Sequence, residues 1–132
     1  MIFQGLVQLV QKNTNVSSLT PNGGGYDAEL PENQPLPSWT YLQVSDIPNT
    51  TLQTVTGLMT MRLQIDCYGY TPFDAIMLSK AIDGILNGYQ GTLSDPDKTY
   101  VSACIRSDRM NFFDPAARTQ RRMLEYEILY CE

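Results

Sequence analysis

The chain contains no histidine among its 132 residues. That removes the side chain most often used as a general acid or base near neutral pH, and with it the commonest metal ligand. Cysteine is scarce as well: Cys67, Cys104 and Cys131 are odd in number, widely spaced and free of any CxxC pair, so neither a disulfide framework nor a zinc site is supported. Two of the three sit in apolar strand patterns, where a thiol behaves as a small hydrophobe, and the expectation is a reducing cytosol. No apolar run approaches the roughly 20 residues that span a bilayer. The first residues lack the basic region and cleavage site of a signal peptide, so the reading expects a soluble protein made inside a cell. Basic residues are few, nine against fourteen acidic, giving a net charge of −5. A molecule of that balance repels a phosphate backbone, which argues against nucleic-acid binding as its main role.

What charge there is lies unevenly. Lys98, Arg106, Arg109, Arg118, Arg121 and Arg122 fall between residues 98 and 122, whereas 13 to 61 holds four acidic residues and no basic one. Opposite charges on opposite faces suit head-to-tail packing of identical copies. The basic residues can equally be the solvated flanks of a hairpin.

The length fits one domain, 1–132, that buries on the order of two thirds of its unfolded surface. Ile2, Phe3, Leu6, Leu9 and Val10 recur at helical spacing, with Gln4, Gln8 and Gln11 opposite, which predicts a short amphipathic helix to about Lys12. Gly5 weakens that helix by about 1 kcal/mol relative to alanine. Trp39 to Val44 is aromatic and β-branched and reads as a strand. Leu58 to Tyr68 alternates without a fault, placing Met59, Met61, Leu63, Ile65 and Cys67 on one face. Val101, Ala103 and Ile105 alternate in a third run. In a fourth, Arg122, Leu124, Tyr126, Ile128 and Tyr130 oppose Arg121, Met123, Glu125, Glu127 and Leu129. Between the second and third strands Thr71 can cap a helix with Pro72 at its first position and Asp74 at the capping-box position. Phe73, Ile76, Met77, Ala81, Ile82, Ile85, Leu86 and Tyr89 form its apolar stripe, and Gly88 or Gly91 ends it. The expected fold is α+β: a largely antiparallel four-stranded sheet with two helices packed on one face and long extended loops at about 14–38 and 45–57. Loops of that length are usually functional or disordered.

No motif organises a reaction. The Gly23-Gly24-Gly25 run resembles a phosphate loop only superficially, since no Lys-Ser/Thr follows and no strand precedes it. Asp95 and Asp97 bracket a proline after a helix and read as a turn. Glu125 and Glu127 share a strand face with no partner placed by sequence to complete a catalytic pair. Asn111-Phe112-Phe113-Asp114-Pro115 followed by Arg118, Arg121 and Arg122 could stack on a single strand of nucleic acid, yet the acidic total and the scarcity of basic residues outside 98–122 leave little to track a backbone. Arginine and phenylalanine are also the anchors favoured at protein interfaces. Packing of Phe112 and Phe113 beneath the loop is the plainest account. The expectation is a protein that is not an enzyme and takes no cofactor or metal. Its candidate contact residues are Tyr26, Asp27, Glu29, Glu32, Trp39 and Asp46 in the first half, with Arg106, Arg109, Phe112, Phe113, Arg118, Arg121 and Arg122 in the second.

The opening FQGLVQLVQ, the strand LQIDCYGYTPFDA running straight into its helix, the helix end AIDGILNGYQGTL and the closing strand RRMLEYEILY together resemble the bacteriophage tail terminator family, also called tail completion or tail-to-head joining proteins. The resemblance spans essentially the whole chain. It implies a structural virion protein, assembled in the host cytoplasm as a hexameric ring on the last ring of the major tail tube protein. There it stops tube growth and offers its other side to the head-completion protein. Genomic DNA would pass through the lumen without specific binding, and no membrane is involved. The family has interfaces rather than an active centre, so no single residue carries a role over. Alternatives are a head-completion or neck connector component of the same virion, and a cytosolic protein-binding adaptor.

Overall fold

The computed structural model describes residues 2–20, 25–27, 36–50, 55–96, 98–114 and 119–131. Helices α1 (Ile2–Gln11) and α2 (Thr14–Leu19) lead into strand β1 (Tyr26–Asp27). There follow β2 (Ser38–Thr50), β3 (Val55–Gly69), α3 (Pro72–Leu86), β4 (Gly91–Thr92), β5 (Tyr100–Asp114) and β6 (Thr119–Cys131). The strands form one sheet in the order β1-β2-β3-β6-β5-β4. Every pairing is antiparallel except the two-residue parallel pairing of β1 on β2.

This corrects the expected four-stranded sheet with two helices. The four expected strands are present, and two stub strands extend the sheet at its edges while α2 adds a third helix. The stubs escape periodicity because two residues show no alternation. The helix α2 lies in what reads as loop, and is set by Asn13, whose side chain accepts the Asn15 N–H at 2.9 Å as an N-cap. The expected loop at 45–57 is also largely strand: β2 continues to Thr50 and β3 starts at Val55, across register shifts near Val44 and Asn49. Pro48 is tolerated because, among the described residues, β2 has only the short β1 on its outer side.

The helices share one face of the sheet. Met61, Leu63, Ile65 and Cys67 of β3 join Leu124, Tyr126, Ile128 and Tyr130 of β6 beneath Ile2, Leu6, Val10, Val16, Leu78, Ile82 and Leu86. The alternation expected for β3 and β6 therefore holds, down to Glu125 and Glu127 on the open face. In β5 it does not. A register shift between Val101 and Ala103 turns Cys104 inward beside Val101, and Ile105 is left 61% exposed.

Thr71 caps α3 as expected, its hydroxyl accepting the Asp74 N–H at 3.2 Å with Pro72 next in line. The buried face is nevertheless rotated from the expected stripe. Ala75, Leu78, Ser79, Ile82 and Leu86 face the sheet, and Phe73 stands 68% exposed. Small residues let the helix lie close, and Ser79 can be buried because its hydroxyl donates to the Ile76 carbonyl at 2.8 Å. Gly88, at φ +86°, turns the chain out of the helix and donates its N–H to the Cys104 carbonyl. Gly5 is required by packing, since a Cβ there would lie 2.6 Å from Leu93 Cβ and its absence lets α1 approach the segment after β4.

Candidate assembly interface

Among the described residues no group of three or more His, Cys, Asp or Glu side chains is placed to hold a metal ion, and no helix is long and apolar enough to cross a membrane. Glu125 is tied to Arg62 across the open face at 3.4 Å. Asp95 is fully buried and forms the expected turn, its carboxylate accepting the Thr99 N–H at 2.8 Å and the Thr99 hydroxyl at 2.6 Å. Asp97 lies outside the described residues.

The basic half of the candidate set converges on the β5–β6 hairpin. Register puts Arg106, Arg109, Asn111 and Phe113 of β5 on the helix-bearing face together with Arg122 of β6. Phe112 and Arg121 pair across the strands on the other face, the guanidinium 4.3 Å from the ring centroid. Arg106 donates to Asp83 at 2.8 Å, and its backbone N–H donates to the Asn87 side chain at 3.1 Å, which clamps the end of α3 to β5. Arg122 is buried, and burial together with the nearby Arg109 and Arg106 charges pulls its guanidinium below its usual range. Its Nε has no hydrogen-bond partner, and neither Arg109 nor Arg122 has an ion pair with a described residue. On the helix-bearing face of the hairpin, Arg109 and Arg122 therefore stand without a described carboxylate at ion-pair distance. Phe113 is 55% exposed on that face, and residues 115–118 of the connecting loop lie outside the described residues.

The first-half candidates are more scattered. Tyr26 and Asp27 form the β1 stub against Thr40 and Tyr41. Trp39 is 1% exposed and belongs to the core, where it lies beside the Tyr41 ring. Asp46 stands in β2 opposite Met61. Glu29, Glu32 and Arg118 lie outside the described residues.

Two surfaces went unread in the sequence. One is an exposed apolar cluster where β3 passes into α3, formed by Tyr70, Phe73 and Met77. Phe73 and Met77 lie one turn apart on α3, a spacing that also fits a buried stripe. The other is a groove of about 520 Å³ between α1 and β2, lined by Phe3, Gln4, Val7, Gln8, Tyr41, Leu42 and Gln43. Phe3 stacks on Tyr41 at its floor, with ring centroids 5.7 Å apart. The glutamines opposite the apolar face of α1 were the available signal, since a helix lying flat on a sheet edge turns its polar flank toward that edge.

No protein-family model matches the sequence, and no curated protein matches it by sequence. The fold has a solved counterpart. A chain from the virion of a native gene transfer agent particle superposes with a TM-score of 0.72 at 12% identity, over 99% of this chain and 95% of its own. That chain belongs to a virion. At this identity the likeness establishes a shared fold, over nearly the whole length of both chains.

Proposed function

We propose that the protein is a structural component of a phage-like virion that closes the tail tube as a homo-oligomeric ring, ends tail polymerisation and joins tail to head. The observation that carries this reading is the end-to-end likeness to a chain of the gene transfer agent virion. The absence of histidine and the lack of a metal-ligand group among the described residues favour an assembly role over catalysis. A ring of identical copies needs a heterologous contact, two different patches per copy, and the basic hairpin and acidic first half supply a pair of opposite sign. The partners of the ring are the tail tube protein below and a head-side connector above. DNA passes through the lumen without adhering, and some of Asp27, Glu29, Glu32 and Asp46 face that lumen, where acidic side chains repel phosphate, or a neighbouring subunit. A ring structure with all four on its outer wall overturns that last point.

Negative-stain electron microscopy of the purified protein, alone and mixed with tail tube protein, tests the reading. Rings, or tubes capped at one end and fixed in length, are the expected result. A persistent monomer that leaves tube growth unchanged overturns it. Binding to the portal side in place of the tube moves the protein to the head-side connector.

A further inference from the structure

Among the described residues both long edges of the sheet are open. The outer edge of β5 pairs with β4 only at Tyr100 and Val101, and the end of α3 covers it at Cys104 and Arg106. From Asp108 to Asp114 no described residue pairs with it. The outer edge of β2 is occupied by β1 only at Thr40 and Tyr41, leaving Leu42 to Ile47 without a described strand partner, and Pro48, which has no N–H to donate, ends that stretch. Open edges of this length are templates for strand addition. Resting on the ring reading above, we propose that neighbouring copies join by adding β5 of one to β2 of the next, with Phe113 seated in the α1–β2 groove.

Strand polarity allows it. Three successive antiparallel pairings separate β2 from β5, so the two run in opposite directions. A second copy set beside the first in the same orientation therefore presents β2 antiparallel to β5, the more stable ladder. This contact is head-to-tail, as a ring demands. The stubs β1 and β4 pair with Thr40–Tyr41 and Tyr100–Val101, outside the joined stretches.

Side chains agree with the backbone. Phe113 lies on the helix-bearing face of β5, the same face of the sheet on which α1 forms the groove over β2. With Phe113 opposite Gln43, the antiparallel direction carries Arg109 into the stretch of β2 around Asp46. Arg109 has no ion pair with a described residue of its own chain, and the segment from 13 to 61 holds acidic residues and no basic ones. The groove is lined by Phe3 and Val7 for the ring and by Gln4, Gln8 and Gln43, whose amides can accept from a guanidinium. A partner built as an open-edged strand with an arginine and an aromatic at its exposed end is what these surfaces fit, and this chain carries one.

Native mass spectrometry of the full chain tests the contact through two variants that each damage one side. Phe113→Asp spoils the inserting strand, and Gln43→Pro spoils the receiving edge. Each alone is expected to lose the ring, while an equimolar mixture forms a heterodimer, because one intact β5 still meets one intact β2. A second pair guards against misfolding of the proline variant. Arg109→Glu alone weakens assembly at least tenfold, and combining it with Asp46→Arg restores it. Rings that persist at wild-type strength in Phe113→Asp, Gln43→Pro and Arg109→Glu overturn the edge contact and leave the ring reading standing. A wild-type protein that stays monomeric, alone and with tail tube protein, removes both.

Discussion

Tyr126 donates its hydroxyl to Asp83 at 2.8 Å, from the middle of β6 to the sheet-facing side of α3. Arg106 of β5 holds the other carboxylate oxygen at the same distance, so one acid ties the helix to two strands. Burial and then the Asp83 contact push the Tyr126 phenol far above its ordinary range, which keeps it a donor at every accessible pH.

Tyr126→Phe keeps the ring and deletes only this donor. It should lower stability by about 0.5–1.5 kcal/mol in urea unfolding, the net value of one hydrogen bond. Asp83→Ala should cost more, about 1–3 kcal/mol, because it strands both a buried hydroxyl and Arg106. A double-mutant cycle between positions 83 and 126 should show coupling, and additivity would contradict the geometry.

Helix α3 presents a sharp contrast between sequence expectation and packing. Phe73→Ala, at an exposed position, should change stability by less than about 0.5 kcal/mol. Leu78→Ala, at a fully buried one, should cost about 2–5 kcal/mol. Thermal unfolding of the two variants side by side decides which face of the helix is buried.

Propensity and packing disagree at Gly5. Helix propensity favours Gly5→Ala by about 1 kcal/mol. The added Cβ would meet Leu93 Cβ at 2.6 Å, so the substitution should destabilise instead. A melting temperature above wild type would show that α1 can move away from Leu93 at little cost.

The thiols should differ in reactivity. Cys67 and Cys104 are buried, Cys131 is partly exposed, and none forms a disulfide. Burial pushes the Cys104 thiol up to about 12, and Cys67 is raised further by burial and by Asp66. Titration with an aromatic disulfide at pH 8 should modify Cys131 first and leave the other two protected until the protein unfolds.

Acid should loosen the segment before β5. Burial pushes the Asp95 carboxyl up, yet its hydrogen bonds, those of the Thr99 hydroxyl and backbone N–H first among them, together with the positive N-terminus hold the pKa below its ordinary value. A group with a depressed folded pKa stabilises the fold above its unfolded pKa of about 4, and that contribution fades as pH falls through the folded pKa. Asp95→Asn should therefore be less stable than wild type at pH 7, with the gap narrowing below pH 4. A gap that widens in acid would contradict the assignment.

Much of the fold was legible in the sequence, and the exceptions have physical causes. Alternation in β3 and β6 was readable because both strands are paired on both sides and buried on one face, so every second residue answers to the same core. The Thr71 cap with Pro72 was readable because capping is settled within one turn. In β5 a single extra residue reverses the side-chain faces, and nothing in Val101 to Ile105 marks where it sits. The arginines of the hairpin were found as a cluster, but their division between two sheet faces depends on pairing partners far along the chain.

The sequence by itself determined the elements and their chemistry: an amphipathic opening helix, a capped central helix, alternating strands, a divided charge and no histidine. These follow from periods and caps that act within a few residues. Tertiary structure alone decided which face of α3 is buried, where β5 bulges, which described edges of the sheet stay open and that a groove lies beside one of them. Each of those depends on contacts between residues distant in sequence, where local preference is nearly neutral and packing makes the choice.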